Sequence, residues 1–126
     1  MRPRRCDQRD ATVSRTSLCL LLSGCFGTPD EIEEGDFPKL GAGVICSRIR
    51  ECDRAQYDSA YFGRSDCRDE QERGLQIIAD SAGDLGCDYS ATVAGEALDD
   101  IDDMPCEDFA EGEALEAVFL VWGDCF

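Results

Sequence analysis

Histidine is absent from this 126-residue chain. Without it there is no ordinary neutral-pH base, no imidazole metal ligand, and no Ser–His or Cys–His nucleophile pair. Positive charge is scarce too. Twelve Lys and Arg stand against 28 Asp and Glu, a formal net charge of −16 with a pI near 4.1. Nucleic-acid binding needs clustered cations to displace phosphate counterions, so that class is excluded. No apolar run reaches the roughly 18 residues of a spanning helix, which excludes a polytopic helical membrane protein. Gly41-Ala42-Gly43 has neither a downstream Lys-Ser/Thr nor a preceding strand, so no phosphate-cradling loop is present. The nearest Cys pair, Cys46 and Cys52, has five residues between, too wide for a thiolate zinc knuckle. No catalytic residue, metal site or cofactor is implied.

Cysteine, by contrast, is abundant. Nine in 126 residues is a high share for a chain kept reduced. The first 24 residues also differ from the rest. Arg2, Arg4, Arg5, Arg9 and Arg15 outnumber Asp7 and Asp10, and the apolar stretch Leu18-Cys19-Leu20-Leu21-Leu22 follows, then Ser23-Gly24-Cys25. A basic flank, an apolar core and small residues before a cut site form the pattern of an export signal. Leu22-Ser23-Gly24-Cys25 resembles the bacterial lipobox, an aliphatic and two small residues before a cysteine. That resemblance implies diacylglycerol on the Cys25 sulfur, cleavage before Cys25, and acylation of the new amino terminus. The protein would then be lipid-anchored on the non-cytoplasmic side of the cell envelope, in the periplasm or at the cell surface, several acyl chains holding far better than one.

Loss of residues 1–24 would leave 7 basic and 26 acidic residues, a net charge of −19. Beyond Cys25, six cysteines remain: Cys46, Cys52, Cys67, Cys87, Cys106 and Cys125. An even number in a small exported domain is the signature of three disulfides, whose fifteen connectivities the sequence leaves open. Residues 25–37, rich in Gly, Pro and acid, read as a solvated tether. The folded domain is then expected at 38–126, short enough for cross-links to matter.

Helical spacing dominates that domain. Ala42, Ile45, Ile49 and Cys52 predict a first helix over about 39–57, with Arg48, Arg50, Glu51 and Asp53 on its other faces. Cys67, Gln71, Leu75, Ile78, Ala82 and Leu85 mark a second, which Gly86 ends. A third opens at Asp88 or Ser90, carries Val93, Ala94, Ala97, Leu98 and Ile101, and stops at Met104-Pro105. Residues 113–122 fit a helix or a strand, and Glu113 and Glu116 near the start favour helix. The expected fold is all-α, a small antiparallel three- to four-helix bundle stapled by disulfides. Cys52 and Cys67 are placed to meet across the first hairpin, with Cys87 and Cys125 at the opposite pole.

Cys46 and Cys52 in a first helix, Cys67, the step Gly86-Cys87-Asp88-Tyr89, Cys106 after Met104-Pro105 and terminal Cys125 resemble the small acidic Cys-rich helical lipoproteins of myxobacteria. That class has no established activity, so the resemblance implies an address and a fold. A structural or binding role at the envelope, towards another envelope protein or a glycan, is the expectation. Two alternatives are a calcium-dependent module using Asp99, Asp100, Asp102, Asp103, Glu107 and Asp108, and a small hydrolase using paired carboxylates. The cluster lacks the carboxylate spacing and central Gly of an EF-hand. Tyr57, Tyr61, Phe62, Tyr89, Phe109, Phe119 and Trp122 are expected as core and loop anchors.

Overall fold

The structure, a computed structural model, describes residues 29–126. Among them all regular structure is helical: a 3-10 turn at Glu34–Asp36, then α1 (Phe37–Cys52), α2 (Arg54–Ala60), α3 (Arg64–Leu85), α4 (Ala91–Asp103), α5 (Cys106–Ala110) and α6 (Glu113–Leu120). Local chemistry explains most boundaries. Pro38 sits in the first turn of α1, where its missing N–H costs nothing. Gly86 takes φ +78° after α3, and its neighbour Cys87 donates its N–H back to the Ala82 carbonyl at 2.9 Å. That is a glycine stop satisfying orphan carbonyls. The Ser90 hydroxyl accepts the Val93 N–H at 3.2 Å and starts α4. Gly112, at φ +92°, separates α5 from α6, and residues 113–120 are helix rather than strand.

The expected helix over 39–57 is instead two. Asp53 leaves helical geometry at φ −145°, ψ 71°, and its carboxylate accepts the Gln56 N–H at 3.2 Å. An aspartate caps a new helix more readily than it continues an old one. The chain thus turns a corner at Asp53, and Tyr57 swings under the bundle, where it is buried.

Cross-links and close approaches give the topology. Cys46 lies against Cys67, and a Cβ added at Gly41 would lie 2.8 Å from Leu75, so α1 and α3 are antiparallel. Gly41 also faces Leu98, and Cys52 meets Cys106, so α4 runs parallel to α1. The Ser90 N–H bonds the Val121 carbonyl, which makes α6 antiparallel to α4. The result is an up-down-up-down bundle with α2 and α5 as short connectors. Its core gathers Phe37, Leu75, Ala79, Ala82, Leu98, Ile101, Val118, Val121 and Trp122.

The tether expected before residue 38 is the largest departure. Ile32 is 2% exposed and Phe37 fully buried, both inside the main core. The Ile32 N–H donates to the Ala91 carbonyl at 3.2 Å, and its own carbonyl accepts the Tyr89 hydroxyl at 2.7 Å. Where this strap crosses α4 the helix carries Gly95, and a Cβ there would lie 2.7 Å from the Asp30 carbonyl carbon and 2.8 Å from the Pro29 oxygen. Residues 29–37 are therefore part of the packed fold rather than a tether. The acidic composition concealed two apolar residues whose burial stabilises by roughly 1.5–3 kcal/mol each.

Candidate functional site

The six cysteines beyond Cys25 pair as Cys46–Cys67, Cys52–Cys106 and Cys87–Cys125, with Cα separations of 6.0, 5.3 and 6.0 Å. The Cys52–Cys67 contact expected across the first hairpin does not form, because the break at Asp53 carries the end of α1 away from the start of α3. Cys46, one and a half turns earlier, takes Cys67, and Cys52 crosses to α5. Cys87 and Cys125, expected only to lie at the opposite pole, are bonded to each other there. Cys25 lies outside the described residues, as does the signal over 1–24.

Arg48, expected on a face of the first helix away from the apolar stripe, is buried. It is 9% exposed, and one guanidinium nitrogen donates to the Met104 carbonyl at the end of α4 while lying 3.4 Å from the Cys52 sulfur. The other pairs with Glu51, and Nε finds no acceptor among the described residues. Four aspartates, Asp99, Asp100, Asp102 and Asp103, crowd the carboxyl-terminal half of α4, where the macrodipole disfavours negative charge. Arg48 brings a buried cation from α1 to that end.

The acidic residues do form a concavity. Asp100, Asp103, Asp108, Glu113 and Glu116 line a groove of about 440 Å³ between α4 and α6, floored by Met104 and Pro105. Carboxylate oxygens of Asp108, Glu111 and Glu113 lie within 4.8 Å of one another. Only Asp108 of the expected calcium cluster belongs to this trio, because Asp99 to Asp103 are spread around a helix. All but Asp108 are exposed, and the groove is open to solvent, whereas a carboxylic acid working as a proton donor is held away from water.

Of the aromatics expected as anchors, Trp122 and Tyr57 are buried, and Phe62 is wholly exposed at the turn before α3. Phe37 meets Trp122 edge-on at 5.7 Å, and Tyr89 closes the same cluster at 5.6 Å from Trp122. Burial, reinforced by the charges of Glu34 and Asp36, pushes the Tyr89 phenol up to about 12. Its proton is the one donated to the Ile32 carbonyl, so the aromatic cluster and the strap share one hydrogen bond.

Two further concavities were not foreseen. An apolar groove of about 320 Å³ runs between α3 and α6, with Ile45, Leu75, Ile78, Phe109, Leu115 and Val118 along it. A smaller pocket of about 130 Å³ opens beside the Cys46–Cys67 bridge, where Arg50, Arg64 and Arg68 converge with Ser47 and Tyr57. The sequence carried a signal for the second: Gly43, Ser47 and Arg50 share a face of α1, and Arg64 and Arg68 share one of α3. Only the disulfide register places the two faces opposite each other.

No family model, no curated protein and no solved structure matches this chain.

Proposed function

We propose that the protein is an exported domain of the bacterial cell envelope, anchored by acyl chains on Cys25, with a binding or structural role towards another envelope protein or a glycan. The observation that carries this reading is the closure of the cysteines. The six beyond the lipobox pair among themselves, so the domain makes no demand on Cys25. Three cross-links in a domain this small suit an oxidising compartment. The docked strap adds a geometric consequence. Between Cys25 and Pro29 the chain reaches at most about 15 Å, so an anchored domain would ride close to the bilayer. Its acidic surface would be repelled from anionic lipid and screened over about 8–10 Å at physiological salt.

The calcium-dependent and hydrolase alternatives rest on the acidic groove alone, and no second feature of that groove among the described residues points to a ligand or a reaction. Intact mass of the protein from the membrane fraction of a bacterial host, before and after reduction and alkylation, tests the proposal. A chain beginning at an acylated Cys25, with six thiols alkylated only after reduction, is the expected result. A chain beginning at Met1 with nine free thiols would overturn it.

A further inference from the structure

Positive charge is scarce in the described residues, seven cations against 26 carboxylates. Arg48 pairs with Glu51 and Arg54 with Asp58. Arg50, Arg64 and Arg68 do the reverse of what so acidic a chain makes easy: they converge on one another and pair with no carboxylate among the described residues. Three like charges around a small concavity repel, and a bound anion relieves that repulsion. The three arginines and Ser47 are exposed, and the frame that holds them is fixed. The Cys46–Cys67 bridge fixes α1 against α3 at this level, Tyr57 of α2 closes one side, and Gly43 leaves open the space a side chain would fill. Arg64 opens the 22-residue α3, whose N-cap residue Gly63 provides no side-chain acceptor for the first-turn N–H groups. Arg64 thus places the start of that helix at the rim of the pocket.

We propose that this pocket binds a single phosphoryl group, free or esterified. One guanidinium satisfies both oxygens of a carboxylate through a bidentate pair, whereas three guanidiniums from two helices match the oxygens of a tetrahedral phosphoryl group. The volume of about 130 Å³ suits one such group and is below the roughly 300–1,000 Å³ of pockets that enclose larger ligands. Ser47 adds a hydroxyl donor at the rim. The inference goes beyond the envelope reading and does not depend on acylation of Cys25.

The test is a calorimetric titration of the oxidised full chain carrying Cys25→Ser with inorganic phosphate, and with acetate at matched ionic strength. One phosphate per chain is expected, with acetate much weaker. Arg50→Gln and Arg68→Gln should each raise Kd about tenfold or more, the effect of removing a charge-assisted hydrogen bond. Arg54→Gln, outside the pocket, should leave it unchanged. Near-ultraviolet circular dichroism of Trp122 shows whether each variant keeps its fold, and Arg50→Lys, which keeps the charge and loses the fork, gives a second and intermediate reading. Cosedimentation with phosphatidylglycerol vesicles, abolished by Arg68→Gln, would assign the phosphoryl group to a lipid headgroup. Heat with phosphate or glycerol 3-phosphate but no vesicle binding would assign it to a soluble ester. No heat up to about 10 mM phosphate together with no vesicle binding would overturn the proposal, as would equal binding of acetate or equal weakening by Arg54→Gln.

Discussion

If residues 29–37 are part of the core, shortening one buried side chain there must cost what a core truncation costs. Ile32→Ala is the decisive perturbation. Ile32 is 2% exposed, while its neighbours Glu31 and Glu33 are solvent-facing. Truncating a buried Ile to Ala costs about 2–5 kcal/mol, and in a strap without regular structure, which can relax, the lower part of that range applies, about 2–3 kcal/mol. In a domain of this size that lowers Tm by about 10–20 °C. On a solvated tether the same change would stay within about 0.5 kcal/mol. Trp122 is the only tryptophan and is 1% exposed, so its fluorescence reports unfolding in urea. Glu33→Ala serves as the control and should cost less than about 0.5 kcal/mol. Gly95→Ala sharpens the test through its sign. In a helix with nothing packed over it, Ala stabilises by up to about 1 kcal/mol relative to Gly. Beneath the strap the added methyl collides with the Asp30 carbonyl group and the Pro29 oxygen, so it should destabilise and displace the segment. Ile32→Ala should then cost less in the Gly95→Ala background, with coupling of about 1 kcal/mol or more. Equal costs for Ile32→Ala and Glu33→Ala, or a stabilising Gly95→Ala, would refute the docked strap.

Other consequences are as concrete. Tyr89 is raised from 10 to about 12, chiefly by burial and then by Glu34 and Asp36, so its folded form holds the proton more tightly than the unfolded chain. Its contribution is therefore complete below about pH 10 and is lost as pH rises from 10 towards 12; absorbance titration at pH 11 should show a still-protonated tyrosine that Tyr89→Phe removes. Arg48→Ala should destabilise by about 1–3 kcal/mol because it strips the Met104 carbonyl of its buried donor, and Arg48→Lys should rescue only part, lacking the planar fork. Replacing both cysteines of a bridge by Ser should cost about 4 kcal/mol for Cys52–Cys106 and about 3 for Cys46–Cys67, following sequence separations of 54 and 21; the reverse order in urea titrations would defeat the loop-entropy account.

Local sequence determined the helices because their signals act over three or four residues. The stripe from Cys67 to Leu85, the glycine stop at Gly86 and the cap at Ser90 each depend on neighbours in the chain, and each appears where its chemistry puts it. Asp53 carried a signal of the same kind, a capping residue inside an apolar pattern, and there the cap prevailed over the periodicity. Even the antiparallel order of the bundle follows from short connections between helices of this length.

What tertiary structure alone decided are the relations between segments far apart in sequence. Six cysteines look alike until α2 turns the end of α1 away from α3, sending Cys52 to Cys106 and leaving Cys67 to Cys46. Arg48 reads as one more polar residue on a helix, and it is buried because the end of α4, which lies 56 residues on, presents it with a carbonyl. Ile32 reads as part of an acidic linker, and it is core because Gly95 leaves room for the backbone above α4. Arg50, Arg64 and Arg68 are scattered charges on two helices until one disulfide fixes their faces opposite each other. Hydrophobic periodicity marks which side of an element is buried. Which element covers it, and which charges then meet, depends on packing that closes only when the whole chain is in place.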